Sequence, residues 1–510
     1  MSSADLVTPT TAAAPSARAR SHPRLATLPW PTIALVALSV ATFVGFLIYP
    51  TYPNYDSYYS LLWGREVLHG HLPSFEVYRA PTEHPLAIAF GGLLSLLGRG
   101  GDRVMVLCTE ASFVVLCAGI YRLGRTAFTP LVGLAAAAIL CTRFDFPFLA
   151  ARAYIDIPYL AFVVWAAALE LQRPRRGGVV WLLLICAGLL RPEAWLLIGL
   201  YFLWMASGVQ GPLGERALTW LRYAAIAAIA PAVWAGTDLV VTGNPLFSLQ
   251  HTSGLAEELG RTRGLSEVPS SMKRFFYNLA KAPVIYAAIA GFLAALWLAP
   301  RRILMPTLLW LIGTGTFVLV GIAGLSVIDR YLLVPALMVM LFGAVALAGW
   351  TMLREGLWLR KAWAIGALLV VVYGVVFTAT RVNFHNFDNE LKLRGDSHRG
   401  LVQLLDDPKV RAARRCGPVS TPTHKLIPDA RWILDAGPDD VIARADAKAV
   451  RRAERGVALY VTDRGALLRQ ALVEASDNVF DNIPGWIGGR QLQGFERVAF
   501  SDYYGAYVRC

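Results

Sequence analysis

Charge is what this sequence has least of. Only 16% of its 510 residues are Asp, Glu, Lys or Arg, while 56% are hydrophobic. That balance excludes an ordinary soluble enzyme and fits a polytopic membrane protein. Acids are the scarcer sign: 35 carboxylates against 48 Lys and Arg leave a formal net charge of +13. In a membrane protein such a surplus sits in cytoplasmic loops, and no basic–aromatic motif points to nucleic acid as a partner. Cysteine is sparse too, six in all, with no CxxC pair or His/Cys cluster to hold structural zinc. No internal repeat is visible. The first apolar segment lacks a small-residue cleavage site and is too long for a signal-peptide core, so it is expected to stay as an anchor.

Long apolar runs are what the chain has in abundance. A hydrocarbon core of about 30 Å needs roughly 20 apolar residues per helix. Spans are expected over 30–49, 104–121, 126–142, 153–171, 219–241, 276–298, 303–324, 331–350 and 362–380. The stretch 178–206 is divided by Arg191-Pro192-Glu193, and 84–98 is apolar but short. Basic clusters at Arg18/Arg20/Arg24, Arg122/Arg125, Arg173/Arg175/Arg176, Arg216/Arg222, Arg301/Arg302 and Arg354/Arg360/Lys361 fix the parity. All six fall on one side if 84–98 does not cross and 178–206 forms a two-helix hairpin. The expectation is then eleven spans, with the N-terminus cytoplasmic and the C-terminus outside. Residues 1–28 read as a disordered cytoplasmic tail, 29–380 as the transmembrane domain and 381–510 as an extracytoplasmic domain. Two long outer loops, 50–103 and 243–275, belong to the middle unit, and the hairpin puts Arg191 and Glu193 at the outer face.

Cys108, Cys117, Cys141 and Cys186 lie in apolar spans, where a thiol is a small hydrophobe. Cys416 and Cys510 are the two in the tail domain, and an oxidising exterior permits a bridge between them. In that domain RGLVQLLDDPKVRAARR and DRGALLRQALVEAS have helical apolar spacing, while GPVSTPT, GVALYVTD and RVAFSDYYGAYVRC read as strands. A small α/β domain is expected. It carries no Gly-rich phosphate loop and no catalytic-triad pattern, which favours a docking or acceptor-handling module over a second active site.

The first span empties into PTYPNYDSYYS at 50–60, an aromatic stretch with one carboxylate, Asp56. The following SYYSLLWGREVL can form an amphipathic helix, with Arg65 and Glu66 opposite its aromatic and leucine positions, lying in the interface. The loop returns to Glu83-His84-Pro85 before the short apolar segment. One loop thus brings the carboxylates Asp56 and Glu83, the histidine His84 and several tyrosines to the bilayer surface.

A first span followed by an acidic outer loop with interfacial helices resembles the GT-C superfamily of membrane glycosyltransferases. That superfamily includes protein O-mannosyltransferases, the lipid A aminoarabinose transferase and RgtA/B/C/D-like bacterial proteins. Glu83-His84-Pro85-Leu86 resembles the acid–basic–Pro(-Pro)-Leu motif closing that loop in the aminoarabinose branch, with His84 for the usual lysine and the second proline missing. ARAYIDIPYLAF at 151–162, TGNPLFSL at 242–249 and DRYLLVPAL at 329–337 resemble later segments of the pattern. The resemblance covers about residues 30–380 and leaves the tail domain outside. It implies a GT-C fold and transfer of a sugar from a polyprenyl-phosphate donor to a lipid, polysaccharide or protein acceptor outside the membrane. Partners are then the donor, the acceptor and the bilayer.

An inverting transfer needs a base for the acceptor hydroxyl and positive charge on the departing phosphate. The resemblance assigns the base to Asp56; the alternative is that Asp56 caps the helix through Ser57-Tyr58-Tyr59. Glu83 and His84 are candidates for sugar, phosphate or cation binding, or simply start the helix before Pro85. Asp156 can complete an acidic site or pair with Arg152 one turn earlier. Arg330, beside Tyr331, can hold phosphate bidentately or anchor the interface. Arg191, and Asn244 and His251 in the second long loop, are weaker binding candidates. The tyrosines, Tyr58 among them, divide between interfacial belt and sugar platform. No cofactor is demanded; a divalent cation such as Mg or Mn has Asp56, Glu83 and Asp156 as its candidate ligands.

Two other readings compete. A transporter or flippase for a lipid-linked saccharide keeps ionisable residues near the midplane, often with repeats; apart from Arg191 and Glu193 the spans read as nearly charge-free. A non-catalytic scaffold leaves the acidic loop without a purpose. Abundant Ala, Arg, Gly and Val fits a GC-rich bacterium and hence its plasma membrane.

Overall fold

The computed structural model describes residues 30–381, 384–470 and 494–510; the expected tail at 1–28 lies outside them. Helix α1 (Trp30–Ile48) leads to α2 (Tyr55–Leu68) and α3 (Pro85–Ser95) in the first long loop. Then come α4 (Gly101–Ala127), α5 (Pro130–Cys141), α6 (Asp145–Ala151) and α7 (Asp156–Gln172). The divided stretch forms α8 (Gly178–Leu190) and α9 (Ala194–Ser207), joined through Arg191-Pro192-Glu193. Next are α10 (Leu213–Thr242), α11 (Phe247–Glu258), α12 (Val268–Leu279) and α13 (Ala282–Leu298). Finally α14 (Leu304–Ile322), α15 (Leu333–Ala348) and α16 (Trp358–Arg381) complete the bundle.

By length and composition six described helices can cross a membrane, or up to eight if each bent pair is one span. This is fewer than the eleven expected, for identifiable reasons. The stretch 126–142 gives only the 12-residue α5 before a 66° bend into α6. The stretch 276–298 is not one helix: α12 and α13 meet at 98°, and Lys281 between them sits at φ 67°. α7, α8 and α9 are 17, 13 and 14 residues long. The stretch 84–98 forms the 11-residue α3, about 16 Å long at roughly 1.5 Å per residue.

Burial follows amphipathicity. α15 is apolar all round and sits at the centre, buried among α5, α13 and α14. A Cβ on Gly291 would stand 1.9 Å from the Phe342 carbonyl oxygen, so only glycine lets α13 cross α15 this closely. α1 and α16 instead expose Val36, Val40, Leu47, Leu368 and Val375, the surface of helices facing lipid.

α2 departs from the expected interfacial helix. Every residue from Ser57 to Gly64 is buried, because α3 covers one side and the tail domain another. A Cβ on Gly64 would lie 2.1 Å from the Gly92 nitrogen. Arg65 and Glu66 are half-buried and paired. Arg65 donates to Asp435 (2.5 Å) and the Ala436 carbonyl, and Glu66 accepts from Arg431 (2.6 Å) and from Ser74.

The tail domain comprises α17 (Phe384–Asp406), α18 (Pro408–Ala413), α19 (Ile427–Leu434), α20 (Arg464–Gln470) and a five-stranded sheet. Its strands are β1 (Val419–Thr421), β2 (Val441–Ala443), β3 (Gly456–Val461), β4 (Glu496–Phe500) and β5 (Tyr504–Arg509), in the order β2-β1-β3-β5-β4. β1 runs parallel to β2 and β3, and β5 antiparallel to β3 and β4. The aromatic-rich segment expected as one strand is thus the hairpin β4–β5, turned at Ser501-Asp502-Tyr503, and β2 had no periodic signal in its three residues. The Cys416–Cys510 disulfide joins the end of β5 to the loop before β1.

Candidate active site

Asn54 sets the start of α2. Its side-chain oxygen accepts from the backbone N–H of Asp56 (2.8 Å) and Ser57 (3.2 Å), which makes Asn54, not Asp56, the N-cap. Its backbone N–H and side-chain amide both donate to the Arg152 carbonyl, and the Ser57 hydroxyl donates to the Ala153 carbonyl (2.6 Å). The helix start is thereby bolted to the turn before α7. Freed from capping, the Asp56 carboxylate points to Arg330, whose Nη1 donates to it at 3.3 Å and to Asp156 at 3.4 Å.

Asp156, at the first position of α7, is wholly buried and also takes a hydrogen bond from Arg191, which donates in turn to Glu193 (2.8 Å). Arg191 lies over the rings of Tyr159 and Tyr331. Three carboxylates, Asp56, Asp156 and Glu193, thus alternate with two guanidiniums drawn from four separate chain segments. Buried charges persist only when paired in this way. The expected Asp156–Arg152 pair does not form: Arg152 stacks on Tyr52, 3.8 Å from its ring centre.

This network forms one wall of a cavity of about 890 Å³. Asp56, His84, Arg191, Arg330 and Tyr331 line it, with Trp195, Trp234, Leu246, Leu249 and Val320 supplying apolar surface. The tail domain contributes Arg394, His424, Lys425, Asp429 and Arg469. A polar floor beside an apolar flank suits a ligand with a charged head and a hydrocarbon tail.

Glu83 is fully buried behind the cavity. Burial pushes its carboxyl up to about 7, and nearby Asp238 adds to the rise. Burial lowers His84 to about 4; Arg191 and Arg330 press the same way, while Asp56 opposes them. His84 is therefore a neutral imidazole at pH 7. Of the carboxylates expected for a cation, Asp56 and Asp156 meet on Arg330 and Glu83 does not join them: among the described residues no three His, Cys, Asp or Glu side chains are grouped to hold a metal ion.

Three other expectations shift. Asn244 orders the turn after α10, accepting from Leu246 N–H (3.1 Å) and donating to Gln250 (2.8 Å); its neighbours Pro245 and Leu246 reach the cavity instead. His251 bonds the Ala80 carbonyl (3.0 Å) and stacks on Phe247, tying the two long loops together. Tyr58 is buried and donates to Asp102 (3.1 Å), so it is neither belt nor platform; Tyr52 and Tyr55 face the cavity. The spans, expected to be nearly charge-free apart from Arg191 and Glu193, also hold acids. Glu110 and Glu170 are buried within α4 and α7, and Asp238 in α10 accepts from Ser248. Glu170 caps the α7–α8 turn, accepting from the backbone N–H of Arg175 and Arg176 and from Tyr201 and Trp204. The tail-domain contributors to the cavity lie more than 200 residues from Asp56 in sequence, and no local pattern marks them.

No protein-family model matches the sequence, and no curated protein matches it. Solved structures do. ArnT from Cupriavidus metallidurans in the apo state superposes with TM-score 0.55 at 12% identity, over 93% of this chain and 97% of that one. The same protein bound to undecaprenyl phosphate gives 0.54 at 13% identity with the same coverage. The oligosaccharyltransferase AglB from Archaeoglobus fulgidus, in complex with an inhibitory peptide and a dolichol-phosphate, gives 0.50 at 12% identity, over 81% of this chain. The chain spans 65% of that AglB chain. The chain shares its fold with ArnT, as the resemblance in the first loop implied.

Proposed function

We propose that this GT-C-fold chain is an inverting membrane glycosyltransferase. It moves a sugar from a polyprenyl-phosphate donor to an envelope lipid, glycan or protein on the extracytoplasmic side of a bacterial plasma membrane. The observation that carries the reading is the Asp56–Arg330 pair on the wall of an amphipathic cavity, in a fold shared with a protein bound to undecaprenyl phosphate. Transport has less support, since the cavity-lining charges cluster at one end of the bundle rather than along its length.

The cavity also bears on topology. It is lined from the region after α1, the turn before α7, the α8–α9 turn, the end of α10 and the turn before α15. These are alternate helix ends, the pattern of a chain crossing eleven times with its shorter helices α5, α7, α8, α9 and α13 included. Arg173, Arg175, Arg176, Arg301 and Arg302 then fall at the opposite, cytoplasmic end.

In the proposed step the acceptor hydroxyl gives its proton to the Asp56 carboxylate as its oxygen bonds the anomeric carbon. The carbon–oxygen bond to phosphate breaks, and that electron pair leaves on the polyprenyl phosphate. Both carboxylate contacts of Arg330 use Nη1, which leaves the Nε–Nη2 edge to meet the phosphate. Asp156 and Arg191 position Arg330, and neutral His84 can donate to a sugar or phosphate oxygen. A divalent cation is not required by this scheme; if one takes part, Asp56 is the carboxylate facing it. The test uses purified protein in nanodiscs, offered polyprenyl-phosphate sugars together with envelope extracts. Turnover of one donor supports the reading; binding without turnover of any donor points to transport.

A further inference from the structure

The cavity has a second cationic wall that the catalytic scheme leaves unused. At the membrane-facing wall two guanidiniums, Arg330 and Arg191, meet three carboxylates, so no net positive charge remains there. Arg152 is different. Its side chain is in a residue only 6% exposed, it lines the cavity, and its Nη1 has no hydrogen-bond partner among the described residues. It makes no salt bridge within that set; Asp429, an acid of the tail domain 3.7 Å from His398, favours its charge without pairing with it. A buried guanidinium nitrogen left unbonded costs free energy unless a ligand completes it.

The surroundings place Arg152 on the tail-domain side. Its guanidinium stacks on Tyr52, and Tyr52 stacks on His398 of α17 with ring centres 4.2 Å apart. Opposite it, Lys425 and Asp429 of the tail domain line the cavity together with Arg261 and Arg79 of the two long loops, Arg79 pairing with Glu258 at 2.8 Å, so positive charge is in excess. His424 lines the cavity with its pKa held well below normal by burial, and Arg79, Lys425 and Arg261 add to the effect. Their positive potential favours an anionic visitor approaching under the tail domain.

We propose that Arg152 is a second anion subsite, separate from Arg330, and that the acceptor carries a phosphate or carboxylate bound there while its hydroxyl faces Asp56. This rests on the glycosyltransferase reading for the word acceptor; the anion subsite itself does not. The test titrates full-length protein in nanodiscs, by calorimetry, with glucose 6-phosphate, glucuronate and glucose, and separately with undecaprenyl phosphate. The wild type is expected to bind at least one anionic sugar and not glucose, the tighter of the two naming the anion. Arg152→Gln is expected to weaken that binding about 10- to 100-fold, the range of a charge-assisted hydrogen bond. It should leave undecaprenyl phosphate within twofold, and Arg152→Lys should recover part of the loss in a protein of unchanged melting temperature. Equal binding of glucose, no binding of either anionic sugar, or loss of undecaprenyl phosphate in Arg152→Gln overturns the proposal. If anion binding behaves as expected but no donor turns over, the subsite stands and the transferase reading falls.

Discussion

Single residues decide the chemistry here through what they are bonded to. Asp56 reaches the cavity while Asn54 caps α2, so the capping role that the sequence left open for Asp56 falls to a neighbour two positions away. Glu83 makes a separate prediction. Its carboxyl is raised from an ordinary 4.5 to about 7 by burial, so the fold holds it neutral. A raised carboxyl binds its proton in the fold after the unfolded chain has released it. Its stabilising share is therefore full below about pH 4.5 and is lost as pH rises to about 7. Replacing it by Gln should remove that loss, making Glu83→Gln relatively more stable at pH 8 than at pH 4.5, by on the order of 3 kcal/mol. Melting curves of the two proteins at both pH values check it, and parallel pH profiles would count against a buried neutral Glu83. The candidate residues near Asp56, Glu83 and Arg330 were legible because motif and chain position coincide. Arg152 was legible only as a partner for Asp156, since helical spacing says nothing of a stacking tyrosine 100 residues earlier.

Elements show where sequence patterns mislead. The segment after Asp56 has the amphipathic look of an interfacial helix, yet α2 is enclosed because the tail domain supplies Arg431 and Asp435 for its two charged residues. Apolar runs likewise announced the long spans but not the break at Lys281, where a left-handed backbone turns the chain through 98°. The α2–α3 crossing is exacting: the Gly64 Cβ position lies 2.1 Å from the Gly92 nitrogen and 2.5 Å from the Ile88 carbonyl. Gly64→Ala is expected to cost about 3 kcal/mol or more, because backbone cannot step aside. Gly45→Ala, with nothing within 4 Å of the new methyl, should be neutral or slightly stabilising. Thermal unfolding of the two variants distinguishes a tight crossing from a loose one.

At the scale of the whole molecule, the membrane bundle and the tail domain act as one enclosure. The bundle supplies the Asp56–Arg330 wall, and the tail roofs it, held by Arg431–Glu66, Arg65–Asp435 and the bidentate Arg99–Asp406 pair. Arg431 is 1% exposed, so removing its partner strands a buried charge. Glu66→Ala should destabilise the docked tail by about 3–5 kcal/mol, read as faster hydrogen exchange in α19 and as reduced turnover with the donor still bound. Unchanged exchange in α19 would mean that the pair does not hold the roof. The central claim is most directly tested by single-turnover release of undecaprenyl phosphate from its sugar conjugate, comparing wild type with Asp56→Asn. A lost general base predicts a rate lower by roughly 10²- to 10⁴-fold, with donor affinity and melting temperature retained. A folded Asp56→Asn protein that turns over at the wild-type rate would contradict the account.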